Sequence, residues 1–233
     1  MGATTPWYWE TFDLFDDVEP AAAPDFALHT VRQRYEKGDY IFMAHDLGRR
    51  VFVLREGTVK IFHLSSNGTQ TIFWFCVPGD VFGAGGISGA PHQAVYAQTV
   101  EPSVVDFISR TDFEKMMKKY PQIAINMVRH MSGRLRLACD SMVDISEHKA
   151  ESRLARVLLR LAHSYGRLVG DQVELRVRVS NQELADMIGT TRQTINALLH
   201  EFLDNGWLAM NGRAIVIVSP GDLQRAAEMG RDG

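Results

Sequence analysis

The chain has 233 residues, of which 45% are hydrophobic and 23% are charged, with a formal net charge of −3. This balance is that of a globular protein, and the length suits one large domain or two modest ones. Its two cysteines, Cys76 and Cys139, exclude a disulfide framework and a four-thiolate metal or iron–sulfur site. The net charge gives no indication of nucleic-acid binding. No apolar run reaches the length of about 18 residues that a membrane span needs and no signal peptide is visible, which predicts a cytoplasmic protein.

The first part of the chain is predicted to be rich in short strands. Ahead of it, a short helix is predicted at Thr11–Asp17 and an irregular segment at Pro20–Pro24. Between Val31 and Ser109, apolar runs alternate with glycine-containing turns such as Ser66-Asn67-Gly68, a pattern typical of a small jelly roll. The predicted strands are Val51–Leu54, Thr58–Leu64, Gln70–Val77, Ala94–Thr99 and Ser103–Ile108.

A long helix is predicted after a shorter one at Arg110–Lys119 and a break at Tyr120-Pro121. Its apolar residues recur at alternating steps of four and three, which is the a/d seam of a coiled coil. This seam consists of Ala124, Val128, Met131, Leu135, Ala138, Met142 and Ile145. The seam either packs on the jelly roll or forms a parallel helix pair at a dimer axis, and its narrowness favours the dimer.

The remaining residues are predicted to form a separate unit. A helix is expected at about Lys149–Tyr165, a loop between Gly166 and Gly170, and a strand at Val173–Val179. The polar tail at Pro220–Gly233 is expected to fray.

Ser180 to Leu208 carries the strongest functional signal. Ser180 and Glu183 form a capping box that starts one helix, and Gly189 ends it. Thr191 can cap a second helix directly afterwards. Two helices joined by so short a glycine turn predict a helix-turn-helix. Their predicted buried residues are Leu184, Ala185, Ile188, Ile195, Leu198, Leu199 and Phe202.

The outward face of the second helix carries side chains suited to DNA. Arginine can pair with guanine, and glutamine or asparagine with adenine, while threonines at a helix start suit phosphate. A β-hairpin is predicted from Leu208 to Val218 with a turn at Asn211-Gly212, which makes the unit a winged helix. A solvated polar face is the alternative interpretation. The candidate DNA-binding residues are Ser180, Thr190, Thr191, Arg192, Gln193, Thr194, Asn196, His200 and Arg213.

The order of these parts resembles the superfamily of the catabolite activator protein and the fumarate–nitrate reductase regulator (CRP/FNR). The resemblance rests on Gly38-Asp39, Gly79-Asp80, Arg55-Glu56-Gly57-Thr58-Val59 and the string Thr190-Thr191-Arg192-Gln193-Thr194. It implies an α+β chain with a cyclic-nucleotide-binding-like jelly roll at residues 1–120, a dimerisation helix at 121–146 and a winged helix-turn-helix at 147–233.

The resemblance also implies a function. The chain would be a homodimeric transcription regulator that binds palindromic double-stranded DNA and contacts RNA polymerase, with no enzymatic activity and no membrane. Arg192 matches the family's principal base-reading arginine. Gln193 stands where many members have glutamate and Ala197 where some have arginine, so the preferred operator is expected to differ.

The resemblance further implies where an effector would bind. In the cyclic-AMP branch of the family, a carboxylate binds the ribose and an arginine binds the cyclic phosphate. Here Gly83-Ala84-Gly85-Gly86 lacks the carboxylate, Pro91-His92-Gln93-Ala94 lacks the arginine, and Ala138-Cys139 replaces the Thr-Ser pair that meets the adenine. The sequence therefore argues against classical cyclic AMP binding. The candidate effector-pocket residues are Phe82, Gly83, Ala84, Gly85, His92, Gln93, Met131, Leu135, Ala138 and Cys139.

The effector itself stays open. Residues 1–30 contain no cysteine, which excludes the family's iron–sulfur sensor. Haem, a small non-nucleotide ligand, a regulator without ligand and a cyclic-nucleotide response through an atypical pocket with His92 in place of arginine all remain. The effector would act through a hinge around Asp144–Lys149 that reorients the DNA-binding domains. Cys76 is predicted to be a core residue. The candidate haem ligands are His29, His45, His63, Cys76, His92 and methionines.

Two other functions would use a jelly roll of this kind. A cupin-type enzyme needs a His-x-His metal motif, which the chain lacks. A ligand-binding module that controls a partner protein remains as the alternative. The charge distribution adds one expectation: residues 1–146 hold 14 Lys+Arg and 17 Asp+Glu, and the remaining residues hold 11 of each. Because the DNA-binding half is neutral, few phosphate contacts are expected.

Overall fold

The computed structural model describes residues 13–229. These residues form two compact units, 13–134 and 135–229, which divide within one long helix. Within the described range, no helix is long and apolar enough to cross a membrane.

The first unit is a jelly roll made of eight short strands. They are β1 (Thr30–Tyr35), β2 (Tyr40–Phe42), β3 (Arg50–Glu56), β4 (Val59–Leu64), β5 (Gln70–Cys76), β6 (Val81–Phe82), β7 (Tyr96–Thr99) and β8 (Ser103–Ser109). Two antiparallel sheets result, in the orders β1-β8-β3-β6 and β2-β7-β4-β5. Helix α1 (Ala22–Leu28) precedes the strands, α2 (Arg110–Lys119) follows them, and a 3-10 helix (Ala84–Ser88) lies between β6 and β7.

Strand β3 shows how the two faces of a sheet are used. Alternate residues point to opposite faces, so Phe52 and Leu54 enter the cluster between the two sheets, whereas Val51 and Val53 enter a second cluster beneath the helices. Aromatic rings fill part of the interior between the sheets, with centroid distances of 5.4–6.2 Å among Phe42, Phe52 and Phe82. The predicted jelly roll is confirmed, and its interior is packed with side chains.

Helix α3 (Pro121–Glu147) uses one face for packing and leaves the predicted seam outside. Ile123 and Met127 belong to the cluster beneath the helices, and His130 is buried nearby. The seam residues Val128 and Leu135, by contrast, are 65% and 67% exposed. Because a different face packs on the jelly roll, the interpretation of the seam as a core face is wrong.

The second unit combines four further helices with one small sheet. Its elements after α3 are α4 (Ala150–Tyr165), β9 (Gly166–Val169), β10 (Gln172–Leu175), α5 (Asn181–Ile188), α6 (Arg192–Asp204), β11 (Leu208–Asn211), β12 (Ala214–Ile217) and α7 (Pro220–Glu228). The sheet order is β11-β12-β10-β9.

The end of α3 is held to α4 by a buried carboxylate. Asp144 lies 3.3 Å from Arg156 and 2.8 Å from Arg160. A buried carboxylate needs such partners, because an unpaired charge away from water is costly. The predicted hinge at Asp144–Lys149 therefore contains an ion-paired residue, and its mobility stays a prediction.

Two predictions near the N-terminus need correction. Of the helix predicted at Thr11–Asp17, residues 11 and 12 lie outside the described residues, and the rest forms a turn. The segment Pro20–Pro24 is not irregular throughout, because α1 begins at Ala22. Pro24 is tolerated there because the first turn of a helix leaves its N–H groups without intrahelical partners.

Three predictions in the second unit are also wrong. The expected loop between Gly166 and Gly170 is largely strand β9, and the strand predicted at Val173–Val179 ends at Leu175. Part of the polar tail forms α7, which buries Leu223, Ala226 and Ala227 against the rest of the unit. An apolar face three and four residues apart was present in the tail, and it outweighs the polar composition. Residues 230–233 lie outside the described range.

Candidate nucleic-acid interface and effector site

The start and end of α5 are fixed by local bonds. The Ser180 hydroxyl donates to Glu183 Oε2 (2.8 Å) and accepts from the Glu183 backbone N–H (3.2 Å), while the Ser180 N–H donates to the same carboxylate (2.8 Å). Gly189 ends the helix with φ +64°, a left-handed conformation that favours glycine. The predicted capping box and glycine stop are confirmed. Since the hydroxyl hydrogen of Ser180 is used inside the capping box, Ser180 serves the helix start.

The start of α6 is fixed in a similar way. Thr191 Oγ1 accepts from the Thr194 backbone N–H at 3.1 Å, and the two hydroxyl oxygens lie 2.9 Å apart. Only one hydroxyl donates in that pair, so the other hydroxyl hydrogen remains for an acceptor such as phosphate. The half-buried Thr190 donates its backbone N–H to Ala185 at 3.1 Å.

The face of α6 opposite its buried residues is polar and exposed. Ile195 and Phe202 are buried, and Leu198 and Leu199 are half-buried, close to the predicted apolar face. Arg192, Gln193 and His200 are exposed on the outer side together with Ala197. At about 100° per residue, these four positions lie within one arc of the helix. The N-terminal turn of α6 therefore presents a guanidinium and an amide, and an imidazole lies two turns further along the same side.

Asn196 lies on the same side but is held differently. It is half-buried, and its Oδ1 accepts from Asn181 Nδ2, on the first turn of α5, at 2.5 Å. The sequence predicted Asn196 as a DNA-binding residue but not Asn181. The two residues lie on different helices, and no short sequence pattern indicates that they are in contact.

The predicted wing is the hairpin of β11 and β12. Asn211 pairs with Ala214, so the two-residue turn is Gly212-Arg213, one residue later than the predicted Asn-Gly turn. The Asn211 amide donates to Glu174 at 2.9 Å, and Glu174 also lies 2.6 Å from Arg167. Hydrogen bonds from Arg167 and then Asn211 lower the pKa of Glu174. Arg213 is exposed at the wing tip.

Two exposed arginines near α5 were missed by the sequence analysis. Arg176 and Arg178 alternate with the buried Leu175 and Val177 and lead directly to Ser180. The alternation itself was a usable signal, since it places both arginines on the solvent side of an extended segment.

The segment that joins β6 to β7 (residues 82–95), called the sensor loop below, is held together by a hydrogen bond between two of its own residues. Gln93 is 5% exposed, and its Nε2 donates to the Gly83 carbonyl at 3.1 Å. Gly83 has φ +70°, and a Cβ there would lie 2.6 Å from the Phe52 ring. Phe82 stacks on Phe52 with centroids 5.4 Å apart. Gln93 lies in the segment that the resemblance aligns with the phosphate-binding residues of the family. Its amide already has a hydrogen-bond partner, the carbonyl of Gly83.

These residues do not fit a cyclic nucleotide. A buried phosphate needs a fixed cation and several donors. The segment 82–93 has no arginine or lysine, and His92 is exposed. Half-buried Ala84 stands where a ribose-binding carboxylate is expected. Met131, Leu135, Ala138 and Cys139, the remaining pocket candidates, are exposed on α3.

A buried histidine was missed by the sequence analysis. His130 on α3 is 7% exposed, and its Nε2 lies 3.1 Å from the Val81 carbonyl. One turn further along, Arg134 donates to Asp80 at 2.7 Å. Desolvation, helped by the charge of Arg134, lowers the pKa of His130 to about 4. His130 is therefore neutral at physiological pH.

Of the candidate haem ligands, the four histidines lie at the surface and Cys76 lies in the core of the jelly roll. His29, His45, His63 and His92 are all exposed. Cys76 is buried between the sheets, as predicted for a core residue, and desolvation raises the pKa of its thiol. Among residues 13–229, no group of three His, Cys, Asp or Glu side chains is arranged to hold a metal ion.

Known proteins resemble the chain along most of its length. Residues 32–120 match the cyclic nucleotide-binding domain model, and residues 152–226 match the Crp-like helix-turn-helix model. The fumarate and nitrate reduction regulatory protein of Escherichia coli is 30% identical over 182 residues, 78% of this chain and 72% of the relative. The CRP-like cAMP-activated global transcriptional regulator of Mycobacterium tuberculosis is 24% identical over 214 residues, 92% of this chain and 96% of the relative. The solved structure of FixK2 from Bradyrhizobium japonicum is 25% identical with a TM-score of 0.77, covering 86% of this chain and 98% of that one.

These similarities decide the family. The relatives are transcription regulators and not enzymes, which confirms the prediction that the chain has no enzymatic function. The helix-turn-helix model covers α5, α6 and the wing, where the exposed polar face lies. The chain belongs to the CRP/FNR family of transcription regulators, with a fold of the cyclic-nucleotide-binding type followed by a DNA-binding helix-turn-helix.

Proposed function

We propose that the protein is a homodimeric, sequence-specific DNA-binding regulator that places the N-terminal turn of α6 in the major groove. The observation that carries this proposal is the exposure of Arg192 and Gln193 on a helix whose start is fixed by the Thr191 cap. A fixed helix start holds the backbone of both residues in a constant position, from which their side chains can reach the base edges. Arg192 would pair with guanine O6 and N7, and Gln193 with adenine.

Other side chains would position the protein on the DNA backbone. Thr190, Thr191 and Thr194 lie at or next to the N-terminus of α6, where the helix dipole and free N–H groups favour phosphate. Exposed His200 and Arg213 are further phosphate candidates, on α6 and at the wing tip. Such contacts hold the register on the duplex and carry no sequence information directly.

Dimerisation would occur through the exposed seam of α3. The large seam residues Val128, Met131, Leu135, Met142 and Ile145 are 42–71% exposed. A continuous apolar row of this kind on a heptad spacing is the surface that pairs two helices. Two paired subunits would bind a palindrome with half-sites about one helical turn, roughly 34 Å, apart.

The effector would be something other than classically bound cyclic AMP, or absent. The internal bond between Gln93 and Gly83 and the exposed position of His92 support this part of the proposal. A small non-nucleotide ligand or haem near Phe82, Ala84 and Gln93 remains the main candidate. RNA polymerase remains a partner that family membership implies.

Selection of binding sites from random duplexes tests the DNA-binding proposal. The purified full-length chain should enrich one palindromic motif, with half-sites about 10 base pairs apart from centre to centre. Enrichment of a single half-site, or of no motif at any salt concentration, would contradict the proposal.

A charge placed in the seam tests the dimer. Leu135→Asp should convert the protein to a monomer in light scattering and weaken binding to the palindrome. Leu168→Asp is the matched control, because Leu168 is 77% exposed in the same unit but lies on β9, outside the seam. A dimeric Leu135→Asp variant would show that α3 does not form the interface.

The effector proposal is tested on the native protein. An absorption spectrum reveals haem, and native mass spectrometry reveals any retained ligand. Calorimetric titration with cyclic AMP should give no heat of specific binding. Saturable binding with one nucleotide per subunit would contradict the proposal.

A further inference from the structure

We propose that Asn181 is a positioning residue for Asn196 and so determines which type of base edge the middle of α6 recognises. The inference rests on the proposed role of α6 in reading DNA. Its basis is the hydrogen bond from Asn181 Nδ2 to Asn196 Oδ1 across the helix-turn-helix, at 2.5 Å. The two residues are 15 positions apart and lie on different helices.

Both backbone positions in this pair are fixed by their surroundings. Asn181 follows directly on Ser180, whose capping box with Glu183 sets the first turn of α5. Asn196 follows Ile195, which is fully buried in the core of the unit. A short side chain attached to a fixed backbone has few orientations, and a hydrogen bond to a second fixed residue selects one of them.

The position of Asn196 makes its orientation relevant to DNA. It lies one turn after Arg192 and three residues after Gln193, so all three side chains lie close together on one face of α6. Arg192 and Gln193 are exposed, whereas Asn196 is half-buried. Asn196 is therefore the least mobile of the three, and its amide presents a fixed pattern to the groove.

The polarity of the hydrogen bond predicts the pattern. The bond uses the carbonyl oxygen of Asn196 and directs its amide nitrogen elsewhere. An amide that recognises adenine in bidentate fashion uses its oxygen and its nitrogen together. With the oxygen engaged by Asn181, Asn196 acts mainly as a donor, and the matching major-groove acceptors are guanine O6 and N7 or thymine O4.

Two substitutions of Asn181 test the inference in binding-site selection. Asn181→Ala removes the partner, so the base preference at one position per half-site should flatten, with a loss of specific affinity of about 3- to 10-fold. Asn181→Asp offers only acceptors, so Asn196 should turn its amide nitrogen inward and its oxygen outward. The preference at that position should then change to adenine or cytosine, whose N6 and N4 groups donate.

Asn205→Asp is the matched control for the added charge. Asn205 is the exposed C-cap of α6, and the same chemical change there should leave the motif unaltered. Circular dichroism establishes that each variant is folded. Should Asn181→Ala unfold, Asn181→Asp still carries the test, because aspartate is favourable in the first turn of a helix.

The outcomes separate this inference from the proposed function. If Arg192→Ala, Gln193→Ala and Asn196→Ala all leave the selected motif unchanged, α6 does not read DNA and the proposed function is wrong. If Arg192→Ala and Asn196→Ala both change the motif but neither Asn181 variant does, only the positioning role of Asn181 is wrong. If Asn196→Ala leaves the motif intact while Arg192→Ala changes it, the inference also fails.

Discussion

The sensor loop and the helix-turn-helix use their polar side chains in opposite ways. In the loop, the amide of Gln93 is buried and donates to the Gly83 carbonyl, and Phe82 stacks on Phe52. In the helix-turn-helix, Arg192 and Gln193 are exposed. The amide of Gln93 is satisfied internally, whereas the side chains of Arg192 and Gln193 are exposed to a partner. The chain thus combines a fold of the cyclic-nucleotide-binding type, whose loop is bonded internally, with an exposed polar face on its helix-turn-helix.

The largest expected effect concerns the interior of the jelly roll. If Phe52 contributes packing and does not line a ligand site, Phe52→Ala should lower the free energy of unfolding by about 3–5 kcal/mol. Denaturant titration measures this change. Phe73→Ala on β5 is the control, since Phe73 is 42% exposed and should cost far less. A loss below about 1 kcal/mol for Phe52→Ala would show that the ring is not packed as described.

The second prediction concerns pH and the buried His130. The pKa of His130 is lowered from 6.5 to about 4 by burial, so the unfolded chain takes up a proton at a higher pH than the folded protein. Stability should therefore fall as the pH falls from about 6.5 to about 4, by roughly 3 kcal/mol at most. His130→Gln, which can still donate to the Val81 carbonyl, should remove this dependence.

The control for this pH effect is His63→Gln, at an exposed position of the same unit. It should keep the wild-type slope of unfolding free energy between pH 4 and 6.5. Below about pH 4, a separate decrease in the free energy of unfolding is expected from protonation of Asp106. Burial raises the pKa of Asp106, but hydrogen bonds from Arg32 and Arg55 lower it more, so its stabilisation is lost only below about pH 3.8. If the wild type and His130→Gln show the same slope of unfolding free energy between pH 4 and 6.5, His130 is not the cause of the pH dependence.

The third prediction tests the exposed side of the comparison. Arg192→Ala should weaken specific DNA binding by about 1–3 kcal/mol and relax selection at one base pair per half-site. Fluorescence anisotropy on the selected palindrome and its single-base variants measures both effects. Arg225→Ala on α7 is the matched control, because Arg225 is another exposed arginine of the same unit. Reduced affinity with an unchanged base preference would assign Arg192 to phosphate.

The smallest expected effect concerns Arg178, which precedes α5. If Arg178 contacts phosphate, Arg178→Ala should weaken binding to all sequences by a similar factor and reduce the slope of log K against log salt by about 1. Titrations at several salt concentrations provide the slope. The selected motif should stay the same, and a change in motif would mean that Arg178 contacts a base.

Local signals made the helix-turn-helix predictable. The capping box spans Ser180 to Glu183, Gly189 closes the same helix, and Thr191 caps the next. Each of these bonds joins residues a few positions apart, so both partners can be recognised within one short stretch of sequence. The seam of α3 was predictable for the same reason, because a helical period depends only on spacing.

Non-local pairing explains what the sequence analysis missed. Most residues of strand β1 are exposed, and the strand forms because it pairs with β8. In this pairing Arg32 lies opposite Asp106. Strand β6 has only two residues and is held by β3. Neither strand carries the apolar alternation that predicts a strand, so their partners determine them.

The sequence by itself determined the order of the parts, the ends of the recognition helices and the apolar seam, because each depends on contacts between near neighbours along the chain. Only the tertiary structure decided that His130 is the buried histidine, that Gln93 is bonded to Gly83, and that Asn181 holds Asn196. Those facts depend on which distant residues meet when the elements pack. Burial, and with it pKa and hydrogen-bond pairing, is a property of that packing.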